Sequence, residues 1–182
     1  MASIVWTALL NGEDSEFGYP AKDEQGNVKL NSKGNPIIVN TAGYGYESAM
    51  QYIVDVLAEL KIPPRHLVMV KEGMNSKGFR QSLHPGYKAG RDKLPEQYVE
   101  YNKCLQMVID QFLAVGAQLA WQDGGIEGDD VVAYLAVHLD GERWIISSDK
   151  DMAALVDPEV GIHQYRMGSI DQNPFGDFAH KL

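Results

Sequence analysis

Apolar positions recur at helical spacing across Tyr46–Leu60, where Ala49, Tyr52, Ile53, Val56, Leu57 and Leu60 share one stripe and Pro63-Pro64 closes the segment. His66–Val70 is a short apolar run that reads as a buried strand. Leu94–Val115 is a long amphipathic pattern with Pro95 near its first turn, where a missing amide proton is tolerated. The pattern then predicts a strand at Ala117–Trp121, a helix at Asp129–Leu139 and a strand at Arg143–Ile146. A short helix at Asp149–Leu155 and a fourth strand at Val160–Tyr165 follow. Strands separated by helices of this length imply right-handed βαβ crossovers. The expected fold is therefore α/β, a mostly parallel central sheet with helices on both faces.

The ends fit this alternation less well. Ile4–Leu10 is apolar, whereas Asp23–Asn40 is polar and carries Gly26-Asn27 and Gly34-Asn35, which predict turns or a loose hairpin excursion. Asp171–Leu182 is weakly patterned, and neither an internal repeat nor a low-complexity run breaks the chain.

Composition changes this picture little. A chain of 182 residues, 45% hydrophobic, can bury one substantial core, so a single domain over residues 1–182 is expected. No apolar run approaches the roughly 18 residues of a membrane helix, and Met1-Ala2-Ser3 lacks the basic start of a signal peptide, so the expected compartment is the cytoplasm. The single cysteine, Cys104, falls inside a helical pattern and reads as a core or flanking residue.

Charge is more informative. The net charge of −9 argues against a nucleic-acid partner, yet residues 71–93 hold six basic side chains (Lys71, Lys77, Arg80, Lys88, Arg91, Lys93) against Glu72 and Asp92, a local +4. Such a segment either grips phosphates or is a solvated loop.

The acidic residues gather in two places. Gly124-Gly125-Ile126-Glu127-Gly128-Asp129-Asp130 lies between a strand and a helix, and Ser147-Ser148-Asp149-Lys150-Asp151 follows the next strand. In an open parallel sheet both stand at the carboxyl edge, where ligand sites form. Either cluster alone also reads as a helix-capping feature, Ser148 with Asp151 having the S-x-x-D form of a capping box. Together, Glu127, Asp129, Asp130, Asp149 and Asp151 would repel one another on one rim unless a cation neutralised them. Oxygen donors without His or Cys favour Mg²⁺ or Mn²⁺ over zinc. Two such ions, about 3.5–4 Å apart, can drive an in-line displacement at phosphorus. The G-x-x-x-x-G-K-[ST] loop is absent, which makes a P-loop ATPase a poor reading and a phosphodiester the better substrate.

With these residues in view, the chain resembles the N-terminal domain of the 5′-3′ exonuclease and flap endonuclease family, in particular the bacteriophage members and the 5′ nuclease part of bacterial DNA polymerase I. The resemblance runs in order through Gly78-Phe79-Arg80, Tyr87-Lys88-Ala89-Gly90-Arg91, Ile126-Glu127-Gly128-Asp129-Asp130 and Ser148-Asp149-Lys150-Asp151-Met152, covering about residues 44–168. It implies a PIN-like nuclease domain that binds two Mg²⁺ or Mn²⁺ ions and DNA with 5′ single-stranded ends or flaps. It also implies that Glu127, Asp129, Asp130, Asp149 and Asp151 hold the ions. Glu72 stands where the family usually has an aspartate, and its other reading is an exposed strand-end acid. By the same resemblance Lys88 approaches the scissile phosphate, Arg80 and Arg91 are further phosphate contacts, and residues 80–115 form an arch through which a 5′ strand threads. Tyr87 is either a base-stacking residue or part of the core. A phage-borne chain would work in the host cytoplasm.

Two departures from the family pattern matter. Family members open with a strand ending in a metal-binding aspartate, and Ser3–Leu10 matches the part after it, so that ligand is expected to be missing, with Asp14 the candidate replacement. The family's later Gly-Asp-x-x-Asp-Asn segment and DNA-binding helix–three-turn–helix are not found before Leu182. Three readings stay open: a metal-dependent 5′ nuclease domain, whole or split; a catalytically impaired nucleic-acid-binding remnant; and another acidic-site enzyme such as a Toprim-type nuclease or a phosphatase. The Glu-Gly-Asp-Asp one βα unit before the Asp-x-Asp, with the Tyr-Lys-x-x-Arg segment, argues against the third.

Overall fold

The computed structural model describes residues 18–88 and 95–166. Strands β1 (Gly18–Pro20) and β2 (Ile38–Asn40) pair antiparallel, Tyr19 opposite Val39. Between them the polar excursion makes two similar turns. The Asp23 carboxylate accepts the Gln25 and Asn27 amides at 2.9 and 2.8 Å, and the Asn31 side chain accepts those of Lys33 and Asn35 at 2.9 and 3.1 Å. Short Asx side chains satisfy the local backbone there, so no extended ladder is needed. The apolar Ile4–Leu10 segment and Asp14 lie outside the described residues.

Helix α1 (Ala42–Glu59) buries Ala49, Ile53, Val56 and Leu57, the stripe that its spacing predicts. After a 3₁₀ turn at Pro64–His66 come β3 (Val68–Val70), the short α2 (Gly78–Leu83) and the long α3 (Pro95–Ala114). Strand β4 (Gln118–Ala120) returns parallel to β3, Met69 opposite Leu119. Helix α4 (Gly128–His138), β5 (Arg143–Ile146), a 3₁₀ helix (Lys150–Leu155), a 3₁₀ turn (Pro158–Val160) and β6 (Ile162–Tyr165) complete the described chain. β5 and β6 are also parallel, in register from Arg143–Ile162 to Ile146–Tyr165.

Among the described residues the parallel strands thus form two pairs, β3–β4 and β5–β6, rather than one continuous central sheet. Strands of three or four residues offer few ladder bonds, so packing carries most of the stability. The larger apolar cluster joins α1, α3, β3 and the start of β4 through Ala49, Ile53, Leu57, Met69, Cys104, Val108, Ile109 and Phe112. The smaller one gathers Ala136, Ile145, Met152 and Ile162. β5 lies between them, Ile146 packed on the first and Ile145 inside the second. Period-two alternation thus puts helical structure on both faces of this strand.

α3 contributes Tyr101, Cys104, Val108, Ile109 and Phe112 to the larger cluster. From Tyr101 onward, that is, the expected arch region is part of the body. Cys104 is fully buried, and burial pushes its thiol up to about 11, which agrees with a core role. α3 also caps α1: the buried Glu100 carboxylate accepts the Ala42 amide at 2.8 Å and the Lys103 ammonium at 3.0 Å. Burial works against that charge, but the hydrogen bonds from Lys103 and Ala42 hold the carboxyl below its ordinary value. No helix among the described residues is long and apolar enough to cross a membrane.

Candidate active site

Because β3 and β4 are parallel, their carboxyl ends open at one edge, and the loops that leave them dock on each other. The Asp123 carboxylate accepts the Met74 amide at 2.7 Å, and the Met74 carbonyl accepts the Gly124 amide at 3.1 Å. Gly73 packs against the Gln122 carbonyl, leaving no room for a side chain. Gly125 adopts φ +104°, and a Cβ there would stand 2.7 Å from the Phe79 amide nitrogen. That close approach seats the start of α2 against the turn leading into α4.

On this seat the basic segment folds back over the acidic one. Glu127, the residue before α4, is only 1% exposed, and three side chains address its carboxylate. Lys88 Nζ donates to Oε1 at 2.9 Å, Tyr87 Oη donates to Oε2 at 3.1 Å, and an Arg80 Nη1 ion pair falls on the same Oε2. The Arg80 guanidinium extends further, Nη2 to Asp130 Oδ1 at 2.7 Å and Nη1 to the Tyr87 hydroxyl at 3.2 Å. Asp130 Oδ2 accepts the Glu127 amide at 3.1 Å, so this acid also caps the helix from its third position. A buried carboxylate is tolerated when paired and hydrogen-bonded, and Glu127 meets both conditions.

Tyr87 is half-buried rather than part of either apolar cluster. Its ring is flanked by the Arg80 guanidinium at 5.7 Å and the Lys88 ammonium at 5.2 Å, within cation–π range. Lys88 is held at φ +54°, a left-handed conformation unusual for a side-chain-bearing residue. Arg91 lies outside the described residues.

The other acids are not held in these ion pairs. Glu72 leaves β3 exposed, with Oε1 3.3 Å from where a Cβ on Gly128 would stand. The buried Tyr101 hydroxyl is pushed up, first by burial and then by the Glu72 charge. Asp129 remains solvent-accessible, yet its carboxyl sits above its ordinary value. Partial burial is the main cause, followed by the like charges of Asp149 and Glu72, while Lys88 and Arg80 pull the other way. Asp149 Oδ1 accepts the Asp151 amide at 2.9 Å, so Asp149 rather than Ser148 caps the following 3₁₀ helix, and Asp151 is exposed in its first turn.

The sequence reading missed two side chains that shape this edge. Gln164 on β6, 2% exposed, donates to the carbonyls of Ser147 and Asp149 at 3.0 and 2.8 Å and fixes the turn that presents Asp149. Its signal was a polar residue on the same strand face as Ile162. Asp123 locks the β4 loop to Met74, and its signal was the Asp-Gly-Gly turn itself.

Among the described residues no group of three or more His, Cys, Asp or Glu side chains is gathered closely enough to hold an ion. The acids divide in two: Glu127 and Asp130 are matched to Arg80, Lys88 and Tyr87, while Asp129, Asp149 and Glu72 share one field of negative charge. All-carboxylate oxygen is the donor chemistry of a hard divalent cation, around which the side chains of this second set would have to draw closer together.

The carboxyl ends of parallel strands in an α/β body are where ligand sites form, and here that edge carries an acidic rim clasped by a basic segment. Residues 29–177 match the family described as 5′-3′ exonuclease, N-terminal resolvase-like domain, and the chain belongs to that family. Among curated proteins it is 30% identical over 121 residues to the flap endonuclease Xni of Pectobacterium atrosepticum, covering 65% of this chain and 45% of that protein. It is 35% identical over 106 residues to the flap endonuclease Xni of Cronobacter sakazakii, covering 56% and 41%. The matched parts therefore span less than half the length of these relatives. No solved structure matches the chain.

Proposed function

We propose that this chain supplies the nuclease centre of a divalent-metal-dependent enzyme that hydrolyses DNA phosphodiester bonds near 5′ single-stranded ends or flaps. The observation that carries the reading is the juxtaposition of Arg80 and Lys88 with the acidic rim, cations and carboxylates alternating within hydrogen-bond range. Asp129, Asp149 and Glu72, with Asp151 two positions after Asp149, would draw together to hold the Mg²⁺ or Mn²⁺. A divalent ion bound there supplies positive charge to a phosphodiester and lowers the pKa of water. Lys88 and Arg80, joined by Arg91 from the adjoining segment, would bind and orient the phosphate, the guanidinium offering a planar fork of donors. Glu127 and Tyr87 hold those cations in place, and Gln164 holds the Asp149 turn.

The test is cleavage of 5′-flapped DNA in Mn²⁺ by the chain, alone and joined to the remaining part of the Cronobacter relative. Cleavage lost in Asp149→Ala is the expected result, and no cleavage in either form would sink the enzymatic reading. A second reading, DNA binding without chemistry, draws on the neutralisation of Glu127 and Asp130 by the chain's own cations. It requires salt-dependent affinity for flapped DNA, carried by Lys88 and Arg91, with no product formed.

A further inference from the structure

The consecutive acids Asp129 and Asp130 face different partners. One helical step turns a side chain by about 100°, so neighbours at a helix start address different surroundings. Asp129 feels Asp149 and Glu72, whereas Asp130 divides its oxygens between the Glu127 amide, 3.1 Å from Oδ2, and Arg80 Nη2, 2.7 Å from Oδ1. The Arg80 guanidinium is thereby held through both terminal nitrogens, Nη2 by Asp130 and Nη1 by Glu127 and Tyr87. A planar group fixed at two points keeps its plane, and Arg80 remains 34% exposed, so it can still meet a ligand from the open side.

We propose that Asp130 is a positioning residue for Arg80 rather than an ion ligand. Its carboxylate, anchored on the helix start, sets the guanidinium plane that receives a DNA phosphate. The inference rests on the nuclease reading for the identity of that phosphate, but the Asp130–Arg80 coupling is testable without it.

Asp130→Asn separates the two roles, since the amide oxygen can still accept the Glu127 N–H while the charge facing Arg80 is gone. Three measurements on the full chain decide the matter. The Arg80 side-chain Nε–H resonance should be distinct in the parent and averaged toward free arginine in Asp130→Asn. Calorimetric titration with Mn²⁺ alone should give an affinity within about twofold of the parent for Asp130→Asn and at least tenfold weaker for Asp149→Asn. Affinity for a 5′-phosphorylated single strand should fall about three- to tenfold in Asp130→Asn, recover in part in Asp130→Glu, and fall no further when Asp130→Asn is added to Arg80→Gln. An unchanged Arg80 resonance, a Mn²⁺ loss in Asp130→Asn matching that of Asp149→Asn, or losses that multiply in the double variant would each overturn the proposal. If Asp149→Asn leaves Mn²⁺ affinity intact, the ion-site reading falls, while the Arg80 resonance and the double variant still decide for or against Asp130.

Discussion

The Glu127 carboxylate is met by three side chains. At 1% exposure it has Arg80, Lys88 and Tyr87 on its two oxygens, so its removal takes away the Lys88 ion pair and leaves Arg80 only the one to Asp130. Removing one partner of a buried pair costs about 3–5 kcal/mol. Glu127→Ala should therefore lower the Tm by roughly 6–20 °C in a chain of this size, as read by calorimetry without divalent ion. A change within about 2 °C would mean that the carboxylate is not held as described. None of this was visible in the spacing of residues. Glu-x-Asp-Asp marked the acids, but nothing local marks which two are met by cations 39 to 50 positions earlier in the chain. The same holds for the partners of Gln164, which lie 15 and 17 positions away.

At the scale of elements, periodicity carried much further. The helical stripe of α1, the long α3 and the strand Arg143–Ile146 stand where the alternation of apolar positions put them, because burial acts on each element through its own repeat. What was not legible is how short strands join: β3–β4 and β5–β6 depend on contacts between segments, and the described ladders stop at pairs. Two consequences belong here. Glu100 joins α3 to the start of α1 with its carboxyl held below its ordinary value of 4.5, so its contribution is full above that pH and is lost as pH falls through the depressed folded value. The Tm difference between the parent and Glu100→Gln should be several degrees at pH 7 and should shrink steadily below pH ~4.5. A difference independent of pH would contradict the charged cap. Gly125 has a positive φ, and any side chain meets the Phe79 backbone, so Gly125→Ala should lift α2 off the β4 loop. Hydrogen exchange should then rise at residues 78–83 while α1 stays protected, with a stability loss of about 1–3 kcal/mol.

For the molecule as a whole, an overall charge of −9 and a local +4 near residues 71–93 set opposing fields. The cations that would meet DNA are partly spent on Glu127 and Asp130, so binding of a single strand without divalent ion should be weak. Mn²⁺ should strengthen it at constant ionic strength by relieving the Asp129–Asp149–Glu72 repulsion. With Arg80, Lys88 and Arg91 as contacts, the logarithm of affinity should fall with the logarithm of salt at a slope of about −2. A slope near zero, or an affinity indifferent to Mn²⁺, would place the DNA contacts elsewhere. The match of residues 29–177 places the chain in the 5′-3′ exonuclease N-terminal domain family.

The left-handed backbone at Lys88 has a practical consequence for dissecting the site. Alanine is the usual probe of a lysine's charge, but at φ +54° it keeps the conformational penalty of a Cβ, roughly 1 kcal/mol, whereas glycine removes charge and penalty together. Lys88→Gly should thus be the more stable of the two variants, and the difference between them measures how much tension the turn carries in holding an ammonium over Glu127. That makes the pair an internal gauge, able to separate what the lysine does as a charge from what it imposes as a bend in the chain.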